Sequence, residues 1–310
     1  MTYPTDVGAI DLMIGFPFRD KHAVFEFLKK AAKDEESKEG FEFPAQYMFK
    51  DPPPAARDDE DPIETTFDAM DRAGVAAGLF HPGPEGIEAK QRYPGRVFFG
   101  IEADPNDIMK SIHRIRKAHA EYDIKAVSVF PAGTFPQVPI DAPLMYPLYS
   151  TCVELDIPII VNAGIAGPRV PSKCQHVELF DQVCFDFPDL RIVMRHGAEP
   201  WQEHAVKLML KWPGLHYMPS AFAPKYYPKE IVEYANTRGA DKVMYAGYFP
   251  SGLTLDRIFS EMPAVPFRDH VWPKFLRENA IRVFKLDVPA WTPGPRQPAA
   301  PSTPDPSTVS

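Results

Sequence analysis

The sequence lacks the features that mark several large classes of protein. Three cysteines, Cys152, Cys174 and Cys184, occur in 310 residues without Cys-x-x-Cys spacing, which argues against a disulfide framework or a zinc knuckle. With 34 basic and 42 acidic residues, the net charge of −8 excludes the basic surface typical of nucleic-acid-binding proteins. No run is long and apolar enough to span a bilayer, and the first residues do not show the cationic and then apolar pattern expected of a secretory leader. We therefore expect a cytoplasmic protein that binds neither nucleic acid nor membrane.

Proline is the residue in excess, with 36 copies, more than twice the average usage of about 5%. Seven of them fall in residues 289–310, which show no apolar periodicity. Such a segment cannot bury enough surface to offset the entropy lost on ordering. We expect a flexible tail there, or a segment that lies across a neighbouring subunit with Trp291 as its anchor, and one folded domain over residues 1–288.

Short apolar runs alternate with amphipathic stretches along that domain. The runs that predict strands are 9–16, 75–80, 97–103, 124–130, 157–163, 191–196, 215–220 and 242–249. The stretches that predict helices are 63–73, 104–122, 144–155, 176–187, 201–212, 227–238 and 270–284. Eight strand signals that alternate with helices favour an α/β fold, a closed (β/α)8 TIM barrel, over an open sheet.

The first connection of this barrel is unusually long, at residues 17–62. A segment of that length inside a compact domain is normally a lid, a binding loop or a contact surface. In a barrel it would lie over the carboxyl-terminal mouth, where active sites are built. We expect a lid, and a homodimer in which this aromatic-rich segment forms an interface.

Polar residues stand where several predicted strands end. Since alternate side chains of a strand face the same way, an inward His196 implies an inward Met194 and, unless the strand has already ended, an Arg195 directed toward the helices. Asn162 shares a side with Ile160 by the same rule. The residues predicted to converge on the mouth are Asp11, Met13, His81, Glu102, Asn162, His196 and Tyr248.

Three segments carry a resemblance to a known family: PDLRIVMRHGAEPW at 188–201, SAFAPKYYPKEIVEYANTRGADKVMYAGYFP at 220–250, and FLRENAIRVFKL at 275–286. Over about residues 8–287 the chain resembles the amidohydrolase-related (amidohydrolase 2) family of TIM barrels, which includes aminocarboxymuconate semialdehyde decarboxylase. The resemblance implies an enzyme, a hydrolase or a carboxy-lyase, that acts on a carbonyl or carboxylate compound.

The chain departs from the family at the metal ligands. Members that bind zinc or manganese usually open with Asp-x-His-x-His, whereas this chain has Met13 and Gly15 in place of both histidines. The later histidine and aspartate of the family fall on Asn162 and Tyr248, and only His196 is retained. Because such a site needs three or four ligands, we expect no metal and no other cofactor. A rearranged metal site is the alternative, built from His81, His196, Glu102 and Asp11.

Each candidate catalytic residue has a functional and a structural interpretation. His196 is either a general acid or base or a former ligand that is now hydrogen-bonded in the core. Tyr248 either donates a hydrogen bond to a developing oxyanion or fills the space left by the metal. Asn162 either binds a carbonyl or carboxylate or holds the loop after its strand.

The candidate substrate-binding residues are Asp11, Met13, His81, Glu102 and Arg169. Arg169 suits a substrate anion because a guanidinium binds a carboxylate through two hydrogen bonds, and a surface or interface salt bridge is its alternative. Aromatic residues near the mouth favour a hydrophobic or aromatic small-molecule substrate.

Three functional hypotheses follow from these residues. The first is a metal-independent enzyme that hydrolyses an ester or lactone, or decarboxylates an acid, in a largely apolar or aromatic compound. The second is a barrel that binds a small molecule without catalysis. The third is a metal hydrolase with rearranged ligands.

Overall fold

Seven parallel strands form the centre of the fold, in a computed structural model that describes residues 3–29, 31–38, 45–49 and 52–292. Each strand pairs with the next one in the chain, so the sheet order is the sequence order. The strands are β1 Ala9–Asp11, β2 Val75–Phe80, β3 Val97–Glu102, β4 Ala126–Val129, β5 Ile159–Asn162, β6 Ile192–Arg195 and β7 Leu215–Met218.

The eighth predicted strand, 242–249, forms no regular strand but bridges the two edges of the sheet. Val243 pairs with Tyr217 of β7, and Phe249 pairs with Ile14 just after β1, both in parallel. Between these two bridges the Gly247 N–H donates to the Asp11 carboxylate instead of a backbone carbonyl, at 2.8 Å. This side-chain bond interrupts the regular ladder, and the predicted TIM-barrel α/β fold is confirmed.

Helices surround this sheet. They are α1 Lys21–Lys29, α2 Glu35–Lys38, α3 Pro62–Ala73, α4 Pro84–Arg92, α5 Ile108–Tyr122, α6 Tyr146–Glu154, α7 Phe180–Asp186, α8 Gln202–Lys211, α9 Lys229–Thr237, α10 Leu255–Glu261, α11 Val271–Pro273 and α12 Asn279–Phe284. A π-helical segment, Lys274–Glu278, joins the last two. Within the part of the chain that the structure describes, none of them combines the length and apolar character needed to cross a membrane.

Two differences from the predicted helices have local causes. Helix α5 begins at Ile108 and not near Asp104, because the Asp104 side chain accepts the Asn106 N–H and holds a turn before the helix. Among the helices that follow the first connection, α4 and α10 were not predicted; α4 has the sequence PEGIEAKQR, in which the apolar pattern is too sparse to indicate a helix.

The inner layer of the barrel determines which side chains reach the mouth. Its apolar members come from the strands, from the residue after β1 and from the segment 242–249 that bridges the two edges of the sheet. They are Ile10, Leu12, Ala77, Leu79, Phe98, Ala126, Ile160, Val193, Met218, Met244 and Ala246. On β6, Val193 belongs to this layer and Met194 to the outer layer against the helices. Arg195 therefore faces inward, and the prediction that it points toward the helices is wrong.

The long first connection lies beside the mouth, as far as it is described. Residues 30, 39–44, 50 and 51 fall outside the described residues, but Phe18, Asp20 and Val24 line the mouth itself. The Tyr47 hydroxyl donates to the Gly167 carbonyl after β5, at 2.9 Å.

Most of the Pro-rich tail, residues 293–310, also lies outside the described residues. At its start, the Trp291 ring packs on Gly8 of the same chain and leaves no room there for a side chain. Arg277 donates to the carbonyls of Gly8 and Pro289, at 3.0 and 2.7 Å. The boundary between a domain at 1–288 and a tail at 289–310 stays a prediction.

Candidate active site

A cavity of about 500 Å³ opens at the carboxyl-terminal ends of the strands. Its walls are largely apolar, and the rings of Phe16 and Phe80 stack there with centroids 5.0 Å apart. The polar or charged side chains that line it are Arg19, Asp20, His81, Glu85, Glu102, Ser128, Arg195, Tyr248 and Ser251. An apolar pocket with a few convergent polar groups is the usual form of a small-molecule site.

Arg195, at the end of β6, is the buried cation of this cavity, with 8% of its surface exposed. Its Nε donates to Oδ1 of Asn162, the residue beside it in the β5–β6 register, at 2.6 Å. Among the described residues no carboxylate oxygen lies within 4.0 Å of its guanidinium. Burial lowers the pKa of Arg195, and the carboxylate of Glu102 opposes that shift. The cavity thus contains a fixed positive charge.

His81 and Glu102 line another part of the mouth, after β2 and at the end of β3. Partial burial lowers the pKa of His81, the Glu102 carboxylate raises it less, and the Arg114 cation adds to the lowering. At neutral pH this imidazole is therefore uncharged. This wall supplies a carboxylate and a neutral imidazole, both of which can accept a proton.

Tyr248 lines the cavity, whereas His196 is not among the lining residues and lies against Tyr248, with ring centroids 5.3 Å apart. His196 Nδ1 is 3.1 Å from the Ser220 hydroxyl. Burial, and then the Arg195 cation, lower the pKa of His196 to about 3. An imidazole of that pKa is uncharged at neutral pH and is a weak general acid. Burial raises the pKa of Tyr248 to about 12, so its phenol remains a hydrogen-bond donor.

Backbone strain accompanies these two residues. His196 has a φ of +69° and Tyr248 a φ of +127°, both in the region that non-glycine residues rarely adopt. Strained residues of this kind cluster at functional sites. The turn at His196 also explains its position, since β6 ends at Arg195 and strand alternation does not extend to the next residue.

Asp11 lies behind the wall of the mouth and not among its lining residues. Its Oδ1 accepts the backbone N–H groups of Gly247 and Met13, at 2.8 and 2.9 Å, and its Oδ2 accepts the Tyr245 hydroxyl at 3.1 Å. Burial raises the pKa of Asp11 to about 6 against these hydrogen bonds. From this position Asp11 closes the barrel through Gly247, and it does not line the cavity.

Arg169 also lies away from the cavity. Its guanidinium binds both carboxylate oxygens of Glu36, at 2.7 and 3.0 Å, and Asp34 at 3.1 Å, and it lies 5.2 Å from the Tyr47 ring centroid. These contacts join the loop after β5 to the first connection. The surface salt bridge, which was the alternative interpretation, is therefore the arrangement present. Of the predicted substrate-binding residues, Met13, His81 and Glu102 line the cavity.

The donor set does not fit the metal ion of the family. Nowhere in the described ranges do three His, Cys, Asp or Glu side chains come together as possible ligands. The Asn162 amide oxygen accepts from Arg195, and the Asp11 oxygens accept from three donors of the chain. The inward guanidinium of Arg195 would repel a divalent cation.

Comparisons with known proteins agree with this fold. An amidohydrolase family model matches residues 86–286, well over half of the chain. The chain belongs to the amidohydrolase family. This membership confirms the predicted resemblance and supports the prediction of an enzyme, a hydrolase or a carboxy-lyase. No curated protein sequence matches the chain significantly.

Solved structures of the same fold include distant enzymes. An uncharacterised TIM-barrel protein of Bordetella bronchiseptica has 20% identity and a TM-score of 0.72, covering 90% of this chain and 99% of that one. A 2,6-dihydroxybenzoate decarboxylase of Rhizobium has 14% identity and a TM-score of 0.61, covering 90% and 99%. A 5-carboxyvanillate decarboxylase of Novosphingobium aromaticivorans, complexed with manganese, has 15% identity and a TM-score of 0.61, covering 90% and 96%.

Sequence reasoning missed Arg195 and Ser128 as lining residues. The available signal for Arg195 was its position at the strand end beside the retained His196, which was outweighed by the assumption that His196 faces inward. Ser128 lies one residue before the end of β4, in a run that is otherwise apolar, AVSV. A single hydroxyl in a buried strand was the only indication.

Proposed function

We propose that the protein is a metal-independent hydrolase that cleaves an ester or lactone bond in a small, largely apolar or aromatic compound. The observation that carries the proposal is the composition of the mouth: a carboxylate and a neutral imidazole on the Glu102 and His81 wall, and hydrogen-bond donors on the Tyr248 wall, around an aromatic cavity. The cavity volume of about 500 Å³ suits a substrate of that size.

In this mechanism Glu102 acts as the general base. It takes a proton from a water molecule while the water oxygen attacks the carbonyl carbon and the carbonyl electron pair moves to oxygen. The Tyr248 hydroxyl donates to that oxyanion. When the oxyanion collapses, the C–O bond of the ester breaks, and the leaving alkoxide receives the proton from Glu102, directly or through His81. The products are a carboxylic acid and an alcohol.

Decarboxylation of an aromatic acid is the second candidate, favoured by the fold shared with 2,6-dihydroxybenzoate and 5-carboxyvanillate decarboxylases. Loss of carboxylate from an aromatic ring requires a proton on carbon. The lowered pKa values of His81 and His196 favour the neutral imidazole, which is a weak general acid, and the Tyr248 phenol, with a pKa of about 12, is a weak acid as well. These groups suit base-assisted hydrolysis better.

The test is a screen of chelator-treated protein against aryl esters, aromatic lactones and aromatic carboxylic acids. We expect turnover of an ester or lactone, abolished by Glu102→Gln and retained in Glu154→Gln, whose carboxylate pairs with Arg116 away from the cavity. Turnover of the acids alone would replace hydrolysis with decarboxylation. Binding without any turnover would favour the non-catalytic barrel, and activity that needs added zinc or manganese would favour the rearranged metal site.

Cytoplasmic location and a homodimer stay predictions. The buried free cysteines Cys152, Cys174 and Cys184 suit a reducing compartment. Sedimentation of the full chain would measure the oligomeric state, which plays no part in the mechanism above.

A further inference from the structure

Arg195 is a buried cation that pairs with no carboxylate of the described residues. It lines the cavity with 8% of its surface exposed, and no carboxylate oxygen of the described residues lies within 4.0 Å of its guanidinium. Removing a charge from water is costly unless the charge is paired and hydrogen-bonded. Arg191, which is only partly buried, pairs by contrast with the Asp156 carboxylate at 2.7 Å. The unpaired charge of Arg195 points to a negatively charged or strongly polar ligand.

The neighbouring side chain leaves the guanidinium available to such a ligand. Asn162 accepts from Nε at 2.6 Å, which fixes the plane of the group and leaves the Nη1 and Nη2 hydrogens for other acceptors. Both residues belong to strands, in register across β5 and β6. A site on rigid elements holds its donors in place with little reorganisation during reaction.

We propose that the Arg195 guanidinium, positioned by Asn162, binds the reacting carbonyl oxygen and stabilises the negative charge that develops on it, the part that a metal ion takes in metal-dependent amidohydrolases. The proposal rests on the proposed function and assigns catalysis to a residue that strand alternation directed elsewhere. Tyr248, on the same cavity, is the second donor to that oxygen. The substrate class is thereby a carbonyl compound whose reacting group points toward β6.

The binding arm of the test needs no turnover. Benzoate carries negative oxygens on an aromatic ring, and benzyl alcohol carries the ring without the charge, so calorimetric titration with both compounds isolates the anion. We expect benzoate affinity to fall at least about tenfold in Arg195→Gln, as for a charge-assisted hydrogen bond, and benzyl alcohol affinity to stay unchanged. Arg191→Gln is the matched control, because Arg191 pairs with Asp156 outside the cavity. Equal benzoate affinity in wild type and Arg195→Gln would overturn the proposal.

The kinetic arm uses an aryl ester turned over in the screen. Arg195→Ala should lose most of its kcat, and guanidinium ion at tens of millimolar should restore part of it in this variant and not in Glu102→Gln. Where Arg195→Ala does not fold, Arg195→Lys keeps the charge without the planar fork and should lower kcat more than it raises KM. Absence of rescue in a folded Arg195→Ala, or full kcat in Arg195→Lys, would contradict the assignment.

The binding and kinetic experiments together distinguish failure of the Arg195 assignment from failure of the proposed function. Benzoate binding that depends on Arg195 in a protein without hydrolase activity would leave the anion site standing and remove the proposed function. Hydrolysis by a protein whose benzoate affinity does not depend on Arg195 would keep the proposed function and contradict the role of Arg195 in stabilising the oxyanion.

Discussion

Two arginines near the mouth of the barrel make different contacts: Arg195 stands at the end of β6, on the rim of the mouth, and Arg169 binds carboxylates of the first connection. At the rim, Arg195 is buried and bonded to one neutral amide, that of Asn162. Beside the mouth, Arg169 lies at the surface and binds two carboxylates, Glu36 and Asp34. The comparison teaches that a charge pair at the surface joins two segments while it contributes little to the free energy of unfolding. A buried charge without a carboxylate partner carries a desolvation cost, and for that reason we interpret Arg195 as functional.

The largest expected effect is on kcat when Glu102, the carboxylate at the mouth, is substituted. Glu102→Gln removes the proposed base while keeping the shape of the side chain, and we expect kcat for an ester or lactone to fall by about 10²–10⁴-fold. Steady-state kinetics measures this, with Glu154→Gln as the control. A fall of less than about tenfold would place the base elsewhere and weaken the contrast between rim and surface.

The next effect concerns Asp11, the buried carboxylate that closes the barrel. Burial raises the pKa of Asp11 from its ordinary value of 3.8 to about 6 in the folded chain, so folding favours its protonated form. That stabilisation is complete below about pH 4 and is lost as the pH rises through 6, by about 3 kcal/mol in total.

The variant Asp11→Asn keeps an acceptor for the Gly247 and Met13 N–H groups without the charge. We expect its free energy of unfolding to lack the wild-type decrease between pH 4 and 6. Urea unfolding of both proteins across that range measures the difference. If the free energy of unfolding of the two proteins changed with pH in parallel, the ionisation of Asp11 would have little effect on stability. A buried charge at the mouth would then cost no more than a charge at the surface.

A smaller effect is expected for Asn162, which acts through Arg195. In Asn162→Ala the guanidinium loses its acceptor at Nε, and we expect kcat to fall about tenfold, as for one charged hydrogen bond, with KM changed less. Asn162→Gln, which restores an amide oxygen, should recover part of kcat. A change in KM alone would indicate that Asn162 contacts the substrate and does not position Arg195.

The smallest effect is expected at the surface. Arg169→Gln breaks the ion pairs with Glu36 and Asp34, and we expect kcat/KM to stay within about twofold of wild type because exposed pairs contribute little. Raising the salt concentration should change the wild-type kinetics as little. A large loss of kcat in this variant would show that the first connection controls the chemistry, and would remove the distinction between the two arginines.

The fold followed from the sequence because apolar runs and helical patterns are local. Strand alternation puts Asn162 on the same side as Ile160, which belongs to the inner layer, although Asn162 does not line the cavity. It failed at β1, where Ile10 and Leu12 belong to the inner layer and Asp11 between them points away from the axis. It failed at β6, where the strand ends one residue before His196 and the backbone turns to a positive φ.

Long-range pairs were beyond sequence reasoning for a different reason. Arg169 meets Glu36 across 133 positions of the chain, and nothing local to either residue announces the other. The pairing of Arg195 with Asn162 depends on the β5–β6 register, which a single sequence does not specify. Burial and pairing together decide which arginine meets a substrate, and both are properties of the folded chain.

The central claim is that a guanidinium supplies the positive charge at this mouth. Its most direct test is turnover of a cleaved ester by chelator-treated wild type and by Arg195→Ala, each with and without guanidinium ion, zinc and manganese. The account predicts that wild type needs no added ion and that only guanidinium restores Arg195→Ala. Wild-type turnover that disappears with the chelator and returns with zinc or manganese would contradict it.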